Sequence, residues 1–303
     1  MAGLKELRTR ISSITSTRKI TSAMKMVAAA RLKRSTDMLN KSKAYSQDLE
    51  TIIGRLIKTI RREEAEKNVV YPMPKVMLSP TKEENYLLVI FSSDKGLCGS
   101  YNTNILKESL QRINELVALG KRVKVLSLGK KAGEALRRRC NGVEIEIWEG
   151  FAAKGPDYNE NSKLVERLLS GLGVNFDICE VVYTHFHSAV NREIKVKQFL
   201  PVALDIDTQD ERYSPMSGNA FYSYEGGKLA LLQNIMPLFV TGTMFFSLVN
   251  SQTSEHGARM TAMDNATRNA KDIIDKLTLK YNRLRQSAIT TELIEIISGA
   301  EAL

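Results

Sequence analysis

The sequence predicts an α/β fold plus a long antiparallel coiled coil: N- and C-terminal helices paired with each other, and a central parallel-sheet α/β domain between them. Three observations predict it. The seven prolines, at 72, 74, 80, 156, 201, 215 and 237, leave both ends of the 303-residue chain clear, and residues 1–71 contain only Gly3 and Gly54 as flexible points. Near the C-terminus, apolar and small residues recur at alternating steps of three and four. In the middle, short β-branched runs alternate with segments of helical spacing. The chain accordingly divides into a long helix over residues 1–71, an α/β domain over 72–225 and a second long helix over 226–303.

The first helix follows from helix formers uninterrupted by proline. Sixty helical residues extend roughly 90 Å, against a mean helix of about 11–12 residues, so this helix needs a companion. Met260, Met263, Thr267, Ala270, Ile274, Leu277, Tyr281, Leu284 and Ala288 supply one, because a 3.5-residue repeat is the seam of a left-handed coiled coil. The N-terminal segment answers with Leu4, Leu7, Ile11 and Ile14, and later with Leu49, Ile52, Leu56 and Ile60. Over 15–36 the pattern loosens into TSTRKITSAMKMVAAARLKRS. This stretch reads either as a slim coil with close backbones or as an adaptable surface of methionine and alanine.

The runs YLLVIFSS, RVKVLSLG, VEIEIWEG and ICEVVYTHF read as strands, and NILKESLQRINELVALG, KKAGEALRRRC and NSKLVERLLSGLG as the helices between them. That alternation gives a parallel sheet covered by helices. The chain is expected to loop after Gly155-Pro156 and after Pro201, and FYSYEGGK returns it to the last helix. Pro237 lies inside that helix, lacks a backbone donor, and is expected to end or kink it.

The net charge of +10 is uneven: residues 1–45 hold eleven Lys or Arg against Glu6 and Asp37. Such an arm is either a solvated helix face or a surface for an acidic partner. Cys98, Cys140 and Cys179 form no CxxC pair, which argues against a disulfide framework or a zinc ribbon. No run of eighteen apolar residues is present, so no membrane span is expected. The first ten residues lack an apolar signal region, and although basic and amphipathic they run into a longer helical pattern rather than standing as a transit peptide.

FSSDKGLCGSYN, at 91–102, sits between a strand and a helix, where phosphate sites are built. It matches neither the P-loop nor the dinucleotide pattern. Asp94 has no neighbouring carboxylate to share a metal, and Cys98 has no identifiable base. His185 and His187, with Cys179 in the same parity, form a conceivable metal face, weighed against an ordinary strand face. No catalytic, cofactor or metal residues are assigned. The arm carries no aromatic before Tyr45, which tells against single-strand nucleic-acid stacking. Read from residues alone, a basic-arm nucleic-acid binder and an α/β enzyme with a helical dimerisation hairpin remain as alternatives.

Three blocks resemble the gamma-subunit family of the rotary F-type ATP synthases: RKITSAMKMVAAARLKR at 18–34, SSDKGLCGSYN at 92–102, and the long stretch from Ala258 to Leu303. The resemblance implies a non-catalytic rotor shaft that couples rotation of a membrane c-ring to the catalytic beta subunits. It implies alpha, beta and epsilon subunits and the c-ring as partners, with no nucleic acid and no cofactor. The chain would sit peripherally on the cytoplasmic face of the bacterial inner membrane. The implied beta-subunit contacts are Met24 and Lys25 in the arm, Asp94, Lys95 and Cys98 in the glycine loop, and Arg285, Gln286, Thr290 and Glu292 near the C-terminus. Tyr224 and Glu225 are the implied c-ring contacts. The paired regulatory cysteines of the family's plastid members are absent from the middle domain.

Overall fold

The computed structural model of the chain describes residues 2–151, 155–204, 216–217, 220–221, 224 and 227–301. Helix α1 spans Ala2–Lys67, and helix α5 spans Lys228–Glu301. Between them lie β1 (Asn85–Phe91), α2 (Tyr101–Ala118), β2 (Arg122–Leu128), α3 (Lys130–Arg137), β3 (Glu144–Trp148), α4 (Tyr158–Gly171), β4 (Ile178–Phe186) and β5 (Arg192–Leu200). A two-residue ribbon follows, β6 (Met216–Ser217) with β7 (Ala220–Phe221). Contacts group the chain into two units: Met1–Ala30 with Arg259–Leu303, and Arg31–Ala258.

In the first unit the two helices run antiparallel. Thr267 donates to the Thr21 hydroxyl at 2.9 Å, and Lys25 Nζ stands 2.6 Å from Asp264 Oδ1. This register sets Leu4, Leu7, Ile11 and Ile14 opposite Leu284, Tyr281, Leu277 and Ile274. The expected α5 seam matches burial closely: Met263 and Ala270 are buried, Met260, Thr267, Ile274, Leu277, Tyr281 and Ala288 are half-buried, and Leu284 is exposed. On α1 the heptad does not break where the apolar pattern loosens. Arg18, Thr21 and Lys25 hold seam positions and are half-buried, and Ala28 is buried. Small and polar residues thus occupy the seam itself there.

In the second unit the sheet order is β3-β2-β1-β4-β5. β1 pairs in parallel with β2 and β4, and β2 with β3. β5 is an antiparallel edge strand on β4, in a stretch where the sequence pattern predicts no strand. Alternation along the strands builds two layers. Tyr86, Leu88, Ile90, Val123 and Val125 pack with Ile105, Ile113 and Leu116 of α2 and Leu136 of α3. Val89, Phe91, Leu126, Leu128, Val181 and Tyr183 share the opposite cluster with α4, α1 and α5. From α1 that cluster takes Leu49, Ile53, Leu56, Ile57 and Ile60, all buried, whereas Ile52, expected in the seam, is 42% exposed. The step there is 49, 53, 56, so Ile53 takes the inward position.

α5 continues through Pro237, so the expected break does not occur. Leu232, Met236, Phe239 and Val240 on either side are buried, and Thr241 donates back to the Pro237 carbonyl at 2.8 Å. One stretch of this helix is long and apolar enough, by length and composition, to cross a membrane. Gln233, Asn234, Pro237 and the Thr241–Thr243 stretch interrupt it, so it is not an unbroken apolar run, and much of its apolar surface belongs to the core cluster over the sheet.

Candidate partner-contact sites

The glycine loop is tied inward. Ser93 accepts from Asn102 Nδ2 at 2.7 Å and donates to the Lys95 carbonyl at 2.7 Å, and Asn102 also reaches Cys98 Sγ at 3.2 Å. Cys98 is 2% exposed beneath the loop, with no open face of its own. Asp94 receives the Lys130 N–H, at the start of α3, on Oδ1 at 3.0 Å and the Gly150 N–H on Oδ2 at 3.2 Å. It therefore splints three strand ends together, as a carboxylate at a helix N-terminus does well. Lys95 and Leu97 face outward, Leu97 at 64% exposure with φ +65°. The loop lies against Gly129, where φ is +118° and a Cβ would stand 2.2 Å from the Ser92 carbonyl oxygen, so only glycine fits.

Along the arm, Lys25 occupies a seam position and its ammonium is held by Asp264, which also takes Arg268 at 2.9 Å. Those two cations keep the Asp264 carboxyl below the usual range, the Lys25 hydrogen bond contributing most. Met24 flanks the seam and is half-buried. The outward face carries Ile20, Met26 and Val27, at 60%, 65% and 55% exposure, with Ala23 and Ala30. The adaptable methionine and alanine surface is one of the two readings the sequence offers for this stretch; the i, i+3, i+7 spacing opposite the seam gives the face it occupies.

At the other end, α1's first turn lies alongside Leu284, so α5 beyond Ala288 has no companion from α1. Arg285, Gln286, Thr290 and Glu292 are exposed there. At 100° per residue, Gln286 and Thr290 point away from the seam. Thr290 donates to the Gln286 carbonyl at 2.9 Å. Ile289, Leu293, Ile294, Ile296 and Ile297 are exposed around them. Tyr224 is half-buried and packs on the core cluster of the sheet; Glu225 lies outside the described residues.

The histidine face is real but not a metal cluster. His185 and His187 rings lie edge to face at 4.7 Å, and His187 Nε2 is 3.2 Å from Glu193 Oε2. Burial holds the His185 imidazole below its ordinary pKa, with Lys195 and His187 adding to the effect. Cys179 is fully buried, and burial pushes its thiol well up. Among the described residues no group of three or more His, Cys, Asp or Glu is placed to hold a metal ion.

A family model described as ATP synthase matches residues 3–303. The ATP synthase gamma chain of Paramagnetospirillum magneticum is 39% identical over the whole of both chains, and that of Erythrobacter litoralis 38% identical, again over the whole of both. Among solved structures, a chain of the Tetrahymena thermophila mitochondrial ATP synthase central stalk and c-ring matches at 25% identity and a TM-score of 0.56, over 82% of this chain and 99% of that one. A chain of the Euglena gracilis mitochondrial ATP synthase, in a structure of its OSCP, F1 and c-ring, shares the fold at 20% identity and a TM-score of 0.53, over 90% of this chain and 95% of that one. A helical pair with a polar seam in one unit, an α/β fold in the other, and full-length likeness to those chains lead to one assignment: the chain belongs to the gamma-chain family of the ATP synthases.

Proposed function

We propose that this chain is the central-stalk rotor subunit of an F-type ATP synthase, coupling rotation of a c-ring to conformational change in catalytic beta subunits. Family membership over the full length supports the rotor role. The observation that carries the mechanism is the bare end of α5: one helix, past the end of its partner, with five large aliphatic side chains exposed. An apolar helix end of this kind is stable when surrounding subunits cover it. The alpha and beta subunits would form that cover, and Gln286, Thr290 and Arg285 would present hydrogen-bonding groups to them.

Catalysis then belongs to the beta subunits, and this chain acts by unequal contact. A shaft that touches one beta subunit differently from the next favours a different conformation in each, and only such differential contact energy can shift those states. Lys95 and Leu97 at the glycine loop and the Ile20, Met26 and Val27 stripe, beside the basic residues of the arm, are the surfaces offered to acidic beta segments. Asp94 and Cys98 support that loop from within. The α/β domain would bind epsilon and the c-ring, with Tyr224 and Glu225 toward the ring, on the cytoplasmic face of a bacterial inner membrane.

The test is co-expression with alpha and beta subunits, followed by sizing and an ATPase assay, beside calorimetry of the isolated chain with ATP. The expected result is a stable complex whose ATPase depends on this chain, with no ATP binding by the chain alone. Micromolar ATP binding to the isolated chain, or no complex, would overturn the reading.

A further inference from the structure

β4 is longer than the strand beside it. Its pairing with β1 ends at Ile90–Val182, yet β4 runs on to Phe186. Backbone groups on that side of its last residues therefore have no strand partner, and buried backbone groups need one. Helix α5 supplies it. The Thr184 N–H donates to Ser251 Oγ at 3.1 Å, the Phe186 N–H to Asn250 Oδ1 at 3.1 Å, and the Ser254 hydroxyl to the Thr184 carbonyl at 3.2 Å. From α2, the Tyr101 hydroxyl donates to the Ser251 carbonyl at 3.1 Å. Asn250 is fixed in turn by donating to the Phe246 carbonyl at 2.9 Å. Asn250 and Ser254 are wholly buried, and Ser251 is 3% exposed.

We infer that Asn250, Ser251 and Ser254 form the joint by which the α/β domain grips helix α5 and passes torque to it, an inference that rests on the rotor reading above. Apolar contact resists separation but has no preferred direction, so Leu232, Met236, Val240, Met244 and Leu248 hold α5 on the sheet without fixing its rotation. Hydrogen bonds to a strand edge are directional and admit one register. Other polar ties described for α5 in this unit include Asn161 to the Thr241 carbonyl at 3.0 Å and Lys228 to Glu63. The first comes from a helix, and the second joins two helices. The 250–254 joint is bonded directly to sheet backbone. Tyr101, which begins α2 directly after the glycine loop, links that loop to the same point.

The experiment uses the assembled complex in vesicles, with Asn250→Leu/Ser251→Ala/Ser254→Ala against the parent. The expected result is normal assembly, ATP hydrolysis within about twofold of the parent, and a several-fold fall in protons pumped per ATP. Amide exchange at Thr184 and Phe186 should rise at least about tenfold as their acceptors are lost. Leu248→Ala serves as the comparison: it weakens the same helix–sheet contact without touching the joint, and should keep the parent ratio of protons to ATP. An unchanged ratio in the triple variant, or an equal fall in Leu248→Ala, overturns the inference. If the triple variant does not assemble, Ser251→Ala alone is scored by the same ratio. Failure of the parent complex itself to couple hydrolysis to pumping would instead overturn the rotor reading.

Discussion

Arg112 on α2 and Glu180 on β4 form a two-pronged ion pair, Nε to Oε2 at 2.7 Å and Nη2 to Oε1 at 2.5 Å. Their side chains are 28% and 9% exposed, and Arg112 also reaches Glu115 at 3.2 Å. Breaking a fully buried pair costs about 3–5 kcal/mol, because one charge is left without compensation. The two halves differ in that respect. Glu180→Gln leaves a guanidinium that can turn to Glu115 and water, so solvent screening reduces the loss to about 2 kcal/mol. Arg112→Met leaves a buried carboxylate with no cation, and should cost about 3–4 kcal/mol. Arg112→Met/Glu180→Leu removes both charges and should return to within about 1 kcal/mol of the parent. Trp148, the single tryptophan, lies on β3 of the same sheet and reports that unit without signal from the coil. Urea unfolding followed by its fluorescence measures all three variants at unchanged slope. A double variant no more stable than Arg112→Met, or equal costs for the two single changes, would refute the reasoning.

Partial burial raises the Asp177 carboxyl, but the Asn85 and Glu84 N–H groups, the Asn85 amide and nearby Lys82 bring it below the usual range. Its stabilising effect is therefore present above the unfolded value of about 3.9 and lost as pH falls through the lower folded value; Asp177→Asn should flatten the urea midpoint across that window, and identical pH profiles would count against it. Arg285→Ala or Gln286→Ala should lower turnover of the assembled complex more than assembly itself, since a hydrogen bond to a charged group contributes about 1.5–3 kcal/mol; parent-rate ATPase in both would make them bystanders. Met24→Lys places an ammonium beside the Lys25–Asp264–Arg268 cluster and near any acidic segment facing the arm. Expected are normal assembly, a steeper Arrhenius slope and weaker coupling, with a larger effect from Met26→Lys on the exposed stripe; a larger effect from Met24→Lys would move the partner-facing side from that stripe to the seam flank.

The long helices were legible because each rests on local composition and a seven-residue repeat. So were the four parallel strands, whose β-branched runs declare themselves. β5 was not, because its apolar residues Ile194 and Val196 are interleaved with Glu193, Lys195 and Lys197, the usual dress of an edge strand. The choice of Ile52 over Ile53 shows the limit of stepping through a run of adjacent aliphatics, where either phase fits. At the candidate site, long-range bonds decide what the sequence alone does not show. Asp94 looks like an offered carboxylate in the sequence, yet both of its oxygens are taken up by backbone donors 36 and 56 positions away. Asn250, Ser251 and Ser254 look like a solvated helix face and are buried. No pattern within the helix could show that their partners lie on β4.

The polar seam of the coil follows the same logic and yields the last prediction. Thr21 and Thr267 meet at 2.9 Å in a position where aliphatic residues would pack better. Polar residues at such positions set the register of a coil at a cost in stability. With Thr21→Val/Thr267→Val, two methyl-bearing side chains of similar shape meet instead, and the coil should gain about 1 kcal/mol, as when both partners of a hydrogen bond are replaced by apolar groups. Register should loosen, because Ile11, Ile14, Ile274 and Leu277 can then exchange places along a seam of near-equal steps, with Lys25 still paired to Asp264. Cysteines introduced by Ile14→Cys with Ile274→Cys stand opposite each other in the observed register, whereas Ile14→Cys with Leu277→Cys lie one turn apart. In the parent background only the first pair should cross-link efficiently. In the valine background both should, alongside a higher melting temperature of the chain. A valine variant that melts lower, or that still cross-links only the in-register pair, would show that the threonines contribute packing and not register.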